Sequence, residues 1–104
     1  MSRTVLSFAL AFAGLVSAQE YRATVLGTVS DPAGAKVPKA SIVVTNIDSG
    51  VIAKAATNDA GSYQVSFLLP GNYMLEVAHP GFKTYKRGPI ELHVDDLTKL
   101  DVAM

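Results

Sequence analysis

From Arg22 onward the chain is cut into short runs rich in Val, Ile, Thr, Tyr and Phe, and each run is closed by a cluster of Gly, Pro, Asn or Asp. Within the runs apolar residues recur at every second position. That is the period of a strand with one buried face, and no helical stripe competes with it after Gln19. Ala23 to Ser30 sets Val25, Gly27 and Val29 on one face, and Asp31-Pro32-Ala33-Gly34 closes it with turn chemistry. Ala40 to Asn46 turns through Asp48-Ser49-Gly50 into Val51 to Thr57. Ser62 to Phe67 places Tyr63, Val65 and Phe67 together, and Leu69-Pro70-Gly71 leads into Asn72 to Ala78 with Tyr73, Leu75 and Val77 aligned. After His79-Pro80-Gly81 comes a run from Phe82 to Arg87. Gly88-Pro89 divides that run from one carrying Ile90, Leu92 and Val94, and Asp95-Asp96 turns the chain into a last stretch with Leu100, Val102 and Met104 on one face. About seven strands at intervals of about ten residues, each with an apolar face to cover, predict an all-β, seven-stranded Greek-key β-sandwich. With no Cys and no Trp, the immunoglobulin version lacks its hallmarks.

The segment before this pattern has a different character. Met1-Ser2-Arg3 provides a positive start, Thr4 to Val16 is almost unbroken apolar sequence, and Val16-Ser17-Ala18 ends it with the small residues that signal peptidase reads. The run is shorter than the roughly 20 residues of a spanning helix, and no charged stop-transfer sequence follows at once. Residues 1–18 are therefore expected to be a signal peptide, helical while it lasts, and residues 19–104 the exported domain, which does not itself span a membrane after cleavage. A buried N-terminal helix is the competing structure; the segment lacks the polar face that such a helix needs.

Nine basic residues balance nine acidic ones in a chain of 104 residues. Such a chain holds one small domain, and its overall field draws it neither to nucleic acid nor to an anionic membrane. The absence of Cys excludes a disulfide framework, so stability rests on the core.

The turn motifs, taken in order, identify the chain further. Gly27-Thr28-Val29-Ser30-Asp31-Pro32-Ala33-Gly34, Pro38-Lys39-Ala40, Thr57-Asn58-Asp59-Ala60-Gly61-Ser62-Tyr63, Leu69-Pro70-Gly71-Asn72-Tyr73 and Pro80-Gly81-Phe82 follow one another as in a carboxypeptidase regulatory-like domain, which the sequence resembles across the whole exported part. The resemblance implies a transthyretin-like, or prealbumin-like, sandwich. It also implies kinship with the N-terminal extension of bacterial outer-membrane receptors that draw energy from the TonB system. A departure from the pattern is Phe67-Leu68-Leu69-Pro70, more apolar than the polar connection often found before Pro-Gly. Location in the periplasm, at the outer membrane or outside the cell follows from leader and resemblance together.

Catalytic and cofactor sites are not expected. No Gly-x-Ser-x-Gly is present, and the two histidines, His79 and His93, stand in a turn and at a polar alternating position. The carboxypeptidase in the family name refers to a zinc peptidase to which such domains are appended, and no His-x-x-Glu pair occurs here. Asn58-Asp59-Ala60-Gly61 and Asp95-Asp96 carry oxygen ligands of the kind Ca²⁺ takes, without the spacing of an EF-hand loop, and turn formation accounts for both. The candidate ligand surface is Tyr21, Lys83, Tyr85 and Arg87, an aromatic and cationic set suited to an anionic glycan or lipid. A solvated edge strand, whose lysines discourage strand addition, is the preferred explanation of Lys83, Lys86 and Arg87. Leu26, Val43 and Met74 fall opposite the core and would form an apolar partner surface if they cluster. The function expected is that of an exported, non-catalytic interaction or spacer module, the N-terminal domain or remnant of a TonB-dependent receptor, with an envelope protein as partner. The alternative is a carbohydrate-binding module with polysaccharide as its ligand.

Overall fold

The computed structural model describes residues 22–104, so the expected leader at residues 1–18 and the candidate Tyr21 lie outside the described residues. The described chain is all-β, with β1 Ala23–Ser30, β2 Ser41–Asn46, β3 Ile52–Ala56, β4 Ser62–Leu68, β5 Gly71–Ala78, β6 Tyr85–Leu92, β7 Leu97–Lys99 and β8 Val102–Ala103. They form two sheets. One runs β4-β1-β7 with β8 also on β1, the other β3-β2-β5-β6. The chain crosses between sheets after β1, β3, β4 and β6, so that the edges β3 and β4 lie on the same side of the sandwich.

Alternation decides which side chains fill the interior. In β1 every second residue from Ala23 to Val29 is buried, and in β5 Tyr73, Leu75 and Val77 do the same. Ile42, Leu75 and Leu92 are the largest side chains that lose all contact with solvent, and each such burial stabilises by roughly 1.5–3 kcal/mol. The turns between strands repeat one device. Asp31 Oδ1 accepts the N–H groups of Ala33 and Ala35 at 2.9 Å, and Asn46 Oδ1 those of Asp48 and Ser49. Asn58 Oδ1 accepts those of Ala60 and Ser62. The side chain thus satisfies N–H groups that the sheet cannot reach.

Thr57 joins two of these motifs. Buried at 4% exposure, its hydroxyl donates to Val37 O at 2.7 Å and accepts the Ala40 N–H at 2.8 Å, fastening the Pro38-Lys39-Ala40 approach of β2 to the end of β3.

The last stretch, expected as one strand, is β7 and β8 in a single register against β1, with Thr24↔Leu97 and Val29↔Val102 related by the same offset. The interruption has a chemical cause. Where parallel pairing would bring the Thr28 N–H to the Leu100 carbonyl, the Asp101 carboxylate takes that N–H at 3.0 Å and the Thr28 hydroxyl at 3.2 Å. The Leu100 carbonyl instead accepts the buried Tyr63 hydroxyl. Tyr63 lies in register with Gly27 on the neighbouring strand, so its ring reaches Leu100 across the place a side chain would occupy. A Cβ on Gly27 would stand 2.0 Å from the Leu100 oxygen. Burial, reinforced by the nearby Asp101 carboxylate, pushes the Tyr63 hydroxyl up to about 12.

At three places the chain departs from the alternation expected of it. Phe67 does not join Tyr63 and Val65 in the core. Val25 pairs with Val65 but Ala23 pairs with Leu68, so one residue of β1 faces two of β4. This bulge turns Phe67 outward at φ 61° and seats Leu68 inside. The run Phe82 to Arg87 is likewise not a strand separate from Ile90 to Leu92. β6 is continuous from Tyr85, and a second bulge, where Met74 alone opposes Gly88 and Pro89, absorbs the pair that reads as a break. Val94 lies beyond β6, exposed in the turn held by the Asp96 N–H on His93 O and the His93 N–H on Asp96 Oδ2.

Candidate functional site

One end of the sandwich is unlike the rest of the surface. β1 begins there, β2 and β4 end there, and the connections to β3, β5 and β7 pass over it, as the strand registers require. All seven exposed large apolar side chains among the described residues lie at this end: Ile47, Val51, Ile52, Phe67, Leu69, Val94 and Leu97. Phe67 and Val51 are each 67% exposed. Between the edge of β3 and the bulged end of β4 opens a cleft of about 300 Å³, walled by Val44, Val51, Ala53, Phe67, Leu68 and Tyr73, with Arg22 at its margin.

Local rules build this cleft. Leu68 follows Phe67 and precedes Leu69, and three large apolar neighbours cannot all face inward on a pleated strand. The bulge sends Phe67 out and Leu68 in, and Leu69 is left exposed in the connection. Tyr73 holds that connection, its hydroxyl donating to Leu69 O at 2.7 Å. An aromatic residue kept at positive φ is uncommon, and such strain gathers at functional positions. The sequence signal for the site was the apolar tetrad Phe67-Leu68-Leu69-Pro70 itself, which no alternation accommodates.

The residues singled out from sequence stand elsewhere. Lys83 is exposed before β6 begins, Arg87 is exposed opposite Leu75, and Tyr85, opposite Val77, is half-buried against the core. Lys86 faces the other way and lies 3.9 Å from Glu76. The structure therefore brings Lys83, Tyr85 and Arg87 to one edge but spends much of the Tyr85 ring on packing. Leu26 belongs to β1 in one sheet, and Val43 and Met74 belong to β2 and β5 in the other, so the three do not cluster.

Among the described residues no three His, Asp or Glu side chains converge to hold a metal ion. The His79 ring donates locally from Nδ1 to Pro80 O and packs edge-on to Phe82 at 5.8 Å, and His93 lies 3.7 Å from Glu91. Hydrogen bonds from Thr28 hold the Asp101 carboxyl below the usual carboxylate range, with Lys99 and Lys36 contributing.

The profile of the carboxypeptidase regulatory-like domain matches residues 24–104. The TonB-dependent transporter Oar of Myxococcus xanthus is 31% identical over 83 residues, which is 78% of this chain and 8% of that protein. Among solved structures, hydroxyquinol 1,2-dioxygenase from Pseudomonas putida superposes with a TM-score of 0.63 at 10% identity, over 84% of this chain and 57% of that one. A putative carbohydrate-binding protein from Bacteroides uniformis gives 0.59 at 16% identity, over 78% and 40%. At these identities the two structures share the sandwich, and a shared fold does not transfer chemistry.

Proposed function

This chain belongs to the carboxypeptidase regulatory-like domain family, and from that premise we propose that it is an exported, non-catalytic docking and spacer domain of the bacterial envelope. It acts as such domains act at the front of TonB-dependent receptors, whether it serves alone or as part of one. The observation that carries the reading is the gathering of every exposed large apolar side chain of the described residues at one end. Patches of that kind mark partner surfaces. The kinship with Oar supports an envelope setting. The expected leader at residues 1–18 supports export.

The test is recovery of binding proteins from periplasmic and outer-membrane extracts on the immobilised chain, beside a variant carrying Val51→Ser, Phe67→Ser and Leu69→Ser. A specific envelope protein held by the parent chain and lost by the variant is expected. Equal recovery by both refutes the apolar end as the docking surface, and recovery of nothing refutes docking. Polysaccharide is the second reading, favoured by the exposed cations Lys83 and Arg87 on either side of Tyr85. Binding on a glycan array that disappears in Tyr85→Ala supports it.

A further inference from the structure

A two-sheet sandwich has four edges, and three of them here are obstructed. β6 carries Lys86, Arg87, Pro89 and a bulge. The opposite sheet ends on one side in the interrupted β7 and β8, with Lys99 and Asp101, and on the other in β4, whose pairing breaks at its bulge. Such features are how proteins prevent strand addition. The remaining edge, β3, is a straight five-residue strand without Pro, Gly or bulge, and Lys54 is its one charge.

The ladder shows which groups this edge offers. The Asn46 N–H donates to Val51 O and the Thr57 N–H to Ala40 O. In antiparallel alternation the backbone groups of residues 51, 53, 55 and 57 then point towards β2, and those of Ile52, Lys54 and Ala56 point away from it. On the inner face β3 presents only Ala53 and Ala55, half-buried, and the cleft of about 300 Å³ opens beside Ala53. A strand laid along β3 would direct alternate side chains inward over these alanines and towards Phe67, filling what the small residues leave open. On the outer face, Lys54 has no ion-pair partner among the described residues; of the acids that share this face, Glu76 lies 3.9 Å from Lys86 and Glu91 lies 3.7 Å from His93.

We propose that the free edge of β3 and the Phe67 cleft together bind an extended peptide segment of a partner protein, one that alternates aliphatic with acidic residues. The aliphatic side chains enter the cleft, an acidic one lies opposite Lys54, and main-chain hydrogen bonds form with Ile52, Lys54 and Ala56. A second copy of this chain fits less well, because the two-fold pairing that overlaps all of β3 sets Lys54 against its own copy. The inference rests on the docking role proposed above and names its chemistry.

The probe is a synthetic heptapeptide alternating valine with glutamate, titrated into the ¹⁵N-labelled full chain and compared with one alternating valine with lysine. Shifts in the amide resonances of Ile52, Lys54 and Ala56, with their hydrogen exchange slowed about tenfold or more, are expected for the glutamate peptide. Lys54→Glu is expected to move the preference to the lysine peptide by about tenfold, an energy of about 1.4 kcal/mol. Lys54→Pro, checked for an unchanged circular dichroism spectrum, is expected to abolish binding by removing an edge donor. Should neither peptide disturb β3, should the shifts map to β6, or should the chain dimerise through β3, the inference is overturned. Envelope-protein recovery without a peptide effect overturns this inference alone, and a peptide effect without recovery overturns the wider role alone.

Discussion

Gly27→Ala is the substitution that most directly tests the account of this fold. The new Cβ would stand 2.0 Å from the Leu100 oxygen and 2.6 Å from its carbonyl carbon, both backbone atoms, so relief requires the β7–β8 segment to move away from β1. That movement strains the Leu100 N–H bond to Leu26 O and separates Leu100 O from the Tyr63 hydroxyl. Each bond contributes about 1 kcal/mol. Overpacking adds about 1–3 kcal/mol, and alanine's stiffer unfolded chain returns about 0.4–1 kcal/mol. A net loss of about 3 kcal/mol is expected, read by urea denaturation followed by circular dichroism. Tyr63→Phe alone is expected to cost about 1 kcal/mol. Because Gly27→Ala already breaks the same bond, the double variant should be less destabilised than the sum by about 1 kcal/mol. A Gly27→Ala protein within about 0.5 kcal/mol of the parent, or strict additivity with Tyr63→Phe, would refute the proposed crossing of the Tyr63 ring over Gly27.

Other outcomes follow from the same geometry. Thr57→Val keeps the shape but leaves Val37 O and the Ala40 N–H without their buried partner, and a loss of about 2 kcal/mol in the same denaturation assay is expected; Thr57→Ser should recover most of it. The folded-state value of Tyr63, about 12, lies above the ordinary 10.0. Its contribution is therefore complete below pH 10 and declines as pH rises towards 12, by at most about 1.4 kcal/mol per pH unit, a slope that Tyr63→Phe should remove. Asp101 is held below the usual range, so its contribution is present above a pH of about 4 and lost as pH falls through the folded value; the acid limb of the stability curve should flatten in Asp101→Asn. Phe67→Gly relieves a positive φ without emptying the core, so stability should rise by about 1 kcal/mol while recovery of the envelope partner falls.

The sandwich was legible in the sequence because the pleat repeats every two residues and the turn motifs mark where each run stops. Asp31, Asn46 and Asn58 form turns through bonds to N–H groups no more than four residues away. Alternation also identified Val25, Val29, Tyr63 and Leu75 as core, and all four are buried. It failed at Phe67 and at Gly88-Pro89, and for one reason. A bulge adds a residue to one strand of a pair, so it exists only in the relation between strands that lie far apart in sequence.

The candidate site divides the same way. Sequence alone determined that three large apolar residues, Phe67, Leu68 and Leu69, could not all be buried, since neighbours on a strand point to opposite faces. Which of them faced out was decided by the pairing of Ala23 with Leu68. That Val51, Phe67 and Leu69 meet at one end, that Ala53 leaves a cleft beside them, and that β3 is the unguarded edge are results of strand order. Periodicity along a chain states which face a residue takes, and carries no information about which other strand supplies its neighbour.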